Sequence, residues 1–169
     1  DILNSDNHMT GTLGIGHTRW ATHGEPSDIN SHPHCSENGS FAVVHNGIIE
    51  NYLYLRDYLM NKGKRFASET DTEVVAQLLE YYYHGNILDT IIKVLSKIEG
   101  AYALGIICKD DPDTLYAVRK DSPLIIGLGK GENFIASDIP AIIDKTRDIY
   151  RLNDNEIAVI KRDNVTVYN

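Results

Sequence analysis

The stretch Phe41-Ala-Val-Val-His-Asn-Gly-Ile-Ile-Glu-Asn51 decides the predicted fold, because it passes from a buried strand towards a helix within a few residues. Its apolar part predicts a short strand over 41–45 that ends at Asn46-Gly47. A helix is then predicted over 49–62, with Gly63 as its C-terminal stop. Upstream, the alternating residues 12–20 predict another strand.

The rest of the chain separates into helices first and strands afterwards. A second helix is predicted to begin near Thr70, whose spacing from Glu73 is that of a capping box, and a third to end before Gly100. Clustered helices beside clustered strands favour an α+β class with mainly antiparallel sheets, in a single domain over 1–169. The later strand-like runs lie at 101–108, 114–119, 124–128, 133–137, 156–161 and 165–168, with one helical segment near 139–145.

The composition narrows the functions that the chain can have. Its 169 residues are 42% hydrophobic and 24% charged, which is typical of one globular domain, and the formal net charge of −8 disfavours nucleic-acid binding. No run approaches the roughly 20 apolar residues that cross a bilayer, and no signal-peptide pattern is present. We therefore expect a cytoplasmic protein with a small-molecule ligand and with no nucleic-acid or membrane partner.

The cysteines and histidines show no recognisable metal pattern. Cys35 and Cys108 lack the paired spacing of zinc or redox sites, and Cys108 lies in an apolar run typical of a buried, unreactive thiol. The seven histidines include His32-Pro33-His34, but neither H-E-x-x-H nor a cysteine pair completes a site. The prediction is no metal site and no cofactor.

A dense polar block, His17-Thr-Arg-Trp-Ala-Thr-His-Gly24, lies at the end of the first predicted strand. Arg19 can hold a carboxylate through two parallel charge-assisted hydrogen bonds, and neighbouring hydroxyls can complete the shell around a small acid. The alternative is an arginine that pairs with a surface acid and a tryptophan, Trp20, that fills the core. The residues alone leave both interpretations open.

Asn46-Gly47 places a side-chain amide and an accessible backbone N–H together at a sheet edge. Two such neutral donors that converge on one oxygen form an oxyanion hole, which stabilises the charge of a tetrahedral intermediate in acyl transfer. A plain turn is the alternative interpretation, since Asn-Gly is common in tight turns.

Asp71 is predicted at the N-terminus of the second helix, where capping and the helix dipole ordinarily explain an acidic residue. Because Thr70 already offers a capping hydroxyl, Asp71 is available in an alternative hypothesis to bind an α-ammonium group. Arg19 and Asp71 would then bind the two ends of an amino acid.

Three blocks in this order resemble the glutaminase domains of the glutamine:fructose-6-phosphate aminotransferases: His17-Thr-Arg-Trp-Ala-Thr-His-Gly24, His45-Asn-Gly-Ile-Ile-Glu-Asn51 and Ser68-Glu-Thr-Asp-Thr-Glu-Val74. Later segments, among them Glu99-Gly-Ala-Tyr102 and Gly131-Glu-Asn-Phe-Ile-Ala-Ser-Asp138, are also similar, so the resemblance covers nearly the whole chain. It implies a class II glutamine amidotransferase domain with the N-terminal-nucleophile hydrolase fold, a four-layer α/β/β/α sandwich.

The resemblance also implies how L-glutamine is recognised. Arg19, assisted by Thr22 and His23, would hold the α-carboxylate, and Asp71 would receive the α-amino group. Trp20 matches the tryptophan of the family's mobile loop, which closes over glutamine.

The remaining matched residues belong to the chemical step. Asn46 and the Gly47 amide would form the oxyanion hole. His32 matches a histidine near the site whose role stays open.

Family members begin with a cysteine whose thiolate attacks the glutamine amide, with its own α-amino group as base. This sequence begins Asp1-Ile2-Leu3, and neither Cys35 nor Cys108 has a free α-amine or falls in a matching motif. The expectation is therefore a domain that is truncated at its N-terminus and inactive alone. The resemblance implies that the parent chain carries a C-terminal sugar-phosphate isomerase domain, forms a homodimer and makes glucosamine 6-phosphate.

Two other functions stay open at this point. The related amidophosphoribosyltransferases share the fold, although their motif at the position of Arg19 lacks the sequence Trp-Ala-Thr-His. A noncatalytic glutamine-sensing module would keep Arg19 and Asp71 and lack the nucleophile.

Overall fold

The computed structural model describes residues 11–18 and 25–169, and within them the chain has three α-helices and nine β-strands. The helices are α1 (Tyr52–Asn61), α2 (Asp71–Tyr82) and α3 (Ile87–Leu95). No helix among these residues combines the length and the apolar character needed to cross a membrane. The strands are β1 (His34–Cys35), β2 (Phe41–Ile49), β3 (Gly100–Cys108), β4 (Asp111–Lys120), β5 (Ile125–Leu128), β6 (Asn133–Ala136), β7 (Ile149–Arg151), β8 (Ile157–Ile160) and β9 (Val165–Tyr168).

The strands form two antiparallel sheets. The larger sheet has the order β1-β2-β3-β4-β8-β9, and the smaller has the order β6-β5-β7. Every pairing between these strands is antiparallel. The predicted α+β class with antiparallel sheets is confirmed.

Two apolar cores define the layers. One core lies between the three helices and the larger sheet, and the other lies between the two sheets. On β4 the two-residue period divides neighbouring side chains between them: Tyr116 and Val118 join the helix-side core, whereas Leu115 and Ala117 join the inter-sheet core. The resulting order is helices, larger sheet, smaller sheet.

The outer face of the smaller sheet is covered by a short irregular segment. A Cβ added at Gly127, in the middle of β5, would contact the side chains of Ile142 and Thr146. This segment begins with a 3-10 helix, Ile139–Ala141, where the Ile142 N–H donates to the Ile139 carbonyl at 3.0 Å. The helix predicted near 139–145 is therefore corrected to a 3-10 helix followed by a turn, in which the Lys145 and Thr146 N–H groups donate to the Ile142 carbonyl at 2.9 and 3.1 Å. This segment occupies the place of the fourth layer.

Helix α2 is enclosed over its first nine residues, since every side chain from Asp71 to Leu79 is buried. The Glu73 carboxylate accepts from the Ser68 N–H at 2.6 Å, from the Ser68 hydroxyl at 2.5 Å and from the Ala67 N–H at 2.8 Å. Thr70 is the N-cap and accepts from the Glu73 N–H at 3.4 Å, as its spacing predicts. The helix thus begins with a buried polar turn whose side chains hydrogen-bond to Ala67, Ser68 and the helix backbone.

Strand β2 extends further than the sequence predicts. Its ladder with β3 continues through Asn46-Gly47 to Ile49, so the predicted end at this dipeptide is wrong. Gly47 keeps the register at a φ of +127°, and a Cβ here would overlap the Ala101 carbonyl oxygen. The dipeptide is therefore part of strand β2 and does not form a turn. As a result, α1 begins at Tyr52 and not at residue 49.

Residues 12–18 form no ladder with other described residues, so the strand predicted over 12–20 is wrong for this part. The alternation behind that prediction is real, since Leu13 and Ile15 pack against the inter-sheet core while Gly14 and Gly16 are exposed. The alternation of buried and exposed residues follows from packing against the core, whereas a β-strand also requires backbone hydrogen bonds to a neighbouring strand. The sequence also misses β1 and β7, which are 2 and 3 residues long.

Glu73→Ala should destabilise the fold by about 2–4 kcal/mol, because the buried N–H and hydroxyl of Ser68 and the part-buried N–H of Ala67 lose their common acceptor. Glu69→Ala is the matched control: Glu69 is exposed, and its loss should change the free energy of unfolding by no more than about 0.5 kcal/mol. Urea unfolding followed by circular dichroism measures both variants. Equal midpoints would contradict the role assigned to Glu73.

Candidate active site

Strand β2 and helix α2 are joined where the strand ends and the helix begins. The Ile49 N–H donates to Asp71 Oδ2 at 2.8 Å. His45 Nδ1 lies 3.0 Å from Thr72 Oγ1 and 3.9 Å from Asp71 Oδ2, and all three of these side chains are buried. Residues 45–49 and 70–73 are thus joined by hydrogen bonds, and they are called the β2–α2 junction below.

Asn46 and Gly47 lie on the accessible side of this junction. Asn46 is half-buried and Gly47 is exposed. Asn46 Oδ1 is 2.5 Å from His17 Nε2, and a carbonyl oxygen only accepts, so the Asn46 NH2 group is directed away from His17. A side-chain amide donor and the Gly47 backbone therefore stand side by side, which an oxyanion hole requires.

A stack of three histidines, His17, His32 and His34, lies beside Asn46. The ring centroids of His17 and His32 are 4.4 Å apart with planes inclined by 20°, and His34 meets His32 edge-on at 4.9 Å. A cis peptide bond joins His32 to Pro33. The histidine stack connects the extended segment 11–18 to the chain that leads into β2.

Hydrogen bonds attach the histidine stack to the β2–α2 junction. His32 Nδ1 accepts from the His45 N–H at 3.2 Å, and His32 Nε2 lies 3.4 Å from Thr72 Oγ1. His34 Nε2 lies 2.9 Å from Thr70 Oγ1, the cap of α2. The stack is therefore fixed both by a strand backbone and by the first turn of a helix.

Half of the predicted site residues fall in the described part of the chain, and these come together at the junction: Asn46, Gly47, His32 and Asp71. The other four lie outside the described residues: Arg19, Trp20, Thr22 and His23. Thr70 caps α2, as the Asp71 hypothesis requires, and Asp71 itself accepts the Ile49 N–H. The proposed glutamine contacts of all these residues stay predictions.

Four residues at the site have no role in the sequence-based predictions: His17, His34, His45 and Thr72. All of them except His34 fall inside one of the three motif blocks, so the motifs indicated their region but not their contacts. Residue type gave no reason to choose them, because a single His or Thr more often serves a local hydrogen bond than a ligand. Their importance follows from contacts that are distant in sequence.

The two cysteines lie away from Asn46. Cys108 is buried in the helix-side core and pairs with Phe41, at the opposite end of β2. Burial raises the pKa of its thiol, which keeps it protonated and agrees with an unreactive side chain. Cys35 is exposed on β1. Over residues 11–18 and 25–169, no group of three or more His, Cys, Asp or Glu side chains is arranged to hold a metal ion.

A comparison with protein families decides the assignment. A family model described as a glutamine amidotransferase domain matches residues 17–144. The chain belongs to this glutamine amidotransferase family. The matched range contains all three motif blocks and the whole β2–α2 junction.

Relatives of this amidotransferase domain share much of its sequence. The glutamine–fructose-6-phosphate aminotransferase (isomerizing) of Caldanaerobacter subterraneus subsp. tengcongensis is 66% identical over 158 residues, which are 94% of this chain and 26% of the relative. The protein of the same name from Clostridium tetani is 57% identical over 164 residues, which are 97% of this chain and 27% of the relative. The resemblance seen in the motifs is confirmed, and the chain spans about a quarter of the length of these curated relatives.

Solved structures share the fold of this amidotransferase domain. The glutamine phosphoribosylpyrophosphate amidotransferase of B. subtilis, complexed with ADP and GMP, has a TM-score of 0.75 at 27% identity and covers 90% of this chain and 34% of its own. A glutamine aminotransferase class-II domain protein from Silicibacter pomeroyi has a TM-score of 0.51 at 19% identity, covers 82% of this chain and 70% of its own, and shows the fold alone. The predicted fold of the N-terminal-nucleophile type is confirmed.

Gly47→Ala should destabilise the amidotransferase domain by clearly more than Gly39→Ala. Both glycines have positive φ, +127° and +68°, which costs an alanine about 1–2 kcal/mol. Only Gly47 would additionally press its Cβ against the Ala101 backbone, since nothing lies within 4 Å of a Cβ at Gly39. Urea unfolding should show a further loss of at least about 1 kcal/mol for Gly47→Ala. Equal losses would contradict the close approach to Ala101.

Proposed function

We propose that this amidotransferase domain binds L-glutamine and supports hydrolysis of its side-chain amide. The observation that carries the proposal is the placement of Asn46 and Gly47 as adjacent donors on a junction whose helix side, residues 70–73, is buried and hydrogen-bonded to the strand. Neutral donors held in place before the reaction stabilise a developing oxyanion without reorganisation. Membership in the glutamine amidotransferase family supports glutamine as the substrate.

The reaction requires donors at the point where negative charge appears. A thiolate attacks the side-chain carbonyl carbon of glutamine, forms a C–S bond and moves an electron pair onto the carbonyl oxygen. Asn46 Nδ2–H and the Gly47 N–H would donate to this oxyanion. Collapse of the intermediate breaks the C–N bond and releases ammonia after protonation, and water then hydrolyses the thioester to glutamate. In this proposal the thiolate is that of an N-terminal cysteine, as the family resemblance implies.

Recognition of glutamine is assigned to groups of opposite charge. Arg19, with Thr22 and His23, would bind the α-carboxylate, Asp71 would receive the α-ammonium group, and Trp20 would close over the substrate. The position of Asp71 supports this assignment, since its carboxylate lies on the same junction as Asn46 and Gly47, against the N–H of Ile49. Its bond from the Ile49 N–H would keep the carboxylate oriented while it binds an ammonium group.

We further propose that the parent protein makes glucosamine 6-phosphate from fructose 6-phosphate and glutamine. Relatives at 66% and 57% identity that carry the corresponding name support this proposal. Residues 1–169 would form one amidotransferase domain, since the larger sheet contributes to both cores. Ammonia would pass to a C-terminal sugar-phosphate isomerase domain of the same chain, in a cytoplasmic homodimer.

An amidophosphoribosyltransferase is the second candidate, because the B. subtilis enzyme shares the fold at a TM-score of 0.75. Given glutamine, the full-length protein should convert fructose 6-phosphate to glucosamine 6-phosphate and leave phosphoribosyl pyrophosphate unchanged. Chromatography of the products separates the two reactions. Consumption of phosphoribosyl pyrophosphate would favour the second candidate, and glutamine binding without either product would favour a noncatalytic sensing module.

Two substitutions in the full-length protein should separate chemistry from binding. Asn46→Ala should lower kcat for glutamine hydrolysis by about 100-fold with little change in KM, because an oxyanion donor acts mainly in the transition state. Arg19→Lys should raise KM by about tenfold, because lysine forms no parallel pair of bonds to a carboxylate. Steady-state formation of glutamate measures both effects.

Asn61→Ala serves as the control for these variants, since Asn61 is exposed at the end of α1. Its kinetics should match those of the unmodified protein. An unchanged kcat in Asn46→Ala would refute the oxyanion assignment, and unchanged saturation by glutamine in Arg19→Lys would refute the carboxylate clamp.

A further inference from the structure

We infer that His17 is a positioning residue for the Asn46 amide and that His32 holds His17 in place. The inference rests on the proposed function, because it concerns the orientation of an oxyanion donor in glutamine hydrolysis. An amide has one end that donates and one that accepts, and only its NH2 end stabilises an oxyanion. A half-turn of the Asn46 amide would direct an oxygen at the developing charge, so its orientation decides whether the site works.

The contact between His17 and Asn46 sets this orientation. His17 Nε2 lies 2.5 Å from Asn46 Oδ1, within hydrogen-bonding distance. A proton on Nε2 holds the oxygen of the amide and turns its NH2 group away from the ring. An unprotonated Nε2 would instead accept from the NH2 group and turn the oxygen outwards. The tautomer of His17 therefore determines which end of Asn46 faces the substrate.

Two packing contacts keep His17 at this position. Its ring is stacked on that of His32, with a centroid distance of 4.4 Å and an interplanar angle of 20°. Two residues earlier, Ile15 packs against the inter-sheet core. The stack holds the plane of the ring, and the burial of Ile15 holds the neighbouring backbone against the core, while Nε2 lies beside Asn46 Oδ1.

The ring of His32 is itself held on both sides. Its Nδ1 accepts the backbone N–H of His45 at 3.2 Å and therefore carries no proton. The proton of the neutral ring is on Nε2, 3.4 Å from the hydroxyl of Thr72, which is 1% exposed on α2. His32 thus joins the backbone of β2 to α2 and presents a fixed ring face to His17. This gives His32 a supporting role that needs no direct contact with glutamine.

A double-mutant cycle in the full-length protein tests the inference. His17→Leu should lower kcat for glutamine hydrolysis by at least about tenfold and change KM by less than about threefold, since positioning a donor matters most in the transition state. His17→Gln, whose side-chain amide retains an N–H donor, should recover most of kcat. In an Asn46→Ala background, His17→Leu should lower kcat by less than about twofold more, because its target has been removed.

His84→Leu is the matched control, since His84 is exposed just beyond the C-terminal end of α2. It should leave kcat and KM unchanged. If the effects of His17→Leu and Asn46→Ala multiply in full, or if His17→Gln recovers nothing, His17 does not act through the Asn46 amide and the inference is overturned.

A second measurement applies even if His17→Leu does not fold. Long-range 1H–15N correlation spectra of full-length protein with 15N-labelled histidine report the tautomer of each ring, and the His17→Gln spectrum identifies the His17 signals. The expected result is a proton on Nε2 of both His17 and His32. A His17 ring protonated on Nδ1 alone would overturn the inference.

Failure of the proposed function has a different outcome. If the unmodified full-length protein forms no glutamate from glutamine, the proposed function and this inference both fall. If the unmodified protein does form glutamate and Asn46→Ala lowers kcat, but the effects of His17→Leu and Asn46→Ala on kcat multiply in full, the proposed function stands and the inference alone falls.

Discussion

The hydrogen bond from the Ile49 N–H to the buried carboxylate of Asp71 fixes the end of β2 on the first turn of α2. A buried carboxylate is costly unless donors surround it, and here the strand backbone supplies one. Because α2 is enclosed over its first nine residues, its N-terminus is a fixed point in the fold. Asn46 and Gly47 lie three and two residues before Ile49, so this bond also sets their position relative to the helix.

The beginning of α2 is polar although it is buried, and its partners come from different parts of the chain. Thr70 meets His34, Thr72 meets His45, and Glu73 accepts from Ser68. Each of these groups would destabilise the fold if it lacked a partner, so the bonds select one arrangement of strand, loop and helix. Apolar residues later in α2 provide the favourable burial that holds this arrangement together.

Sequence patterns correctly predicted those features of the fold that depend on residues close together in the sequence. The cap at Thr70 and the strand β9 follow from spacing and alternation, and the sequence places both within a residue of their observed positions. Asn46-Gly47 shows the limit, because a glycine required for a turn looks the same as one required by a close approach to Ala101. The contact of His17 with Asn46 spans 29 residues of sequence and depends on the packing of two segments, which no local pattern contains.

The acidic residues at the start of α2 bear on the role that we propose for the Asn46 amide. A helix N-terminus carries about half a positive charge, which often stabilises anions. Here Asp71 and Glu73, both acidic and both in the first turn, already occupy that positive end. These two acidic side chains already lie where the helix dipole would attract an anion. In the proposed chemistry, stabilisation of the oxyanion would therefore come from close neutral donors, and the orientation of the Asn46 amide, together with the His17 ring beside it, would decide whether such a donor is present.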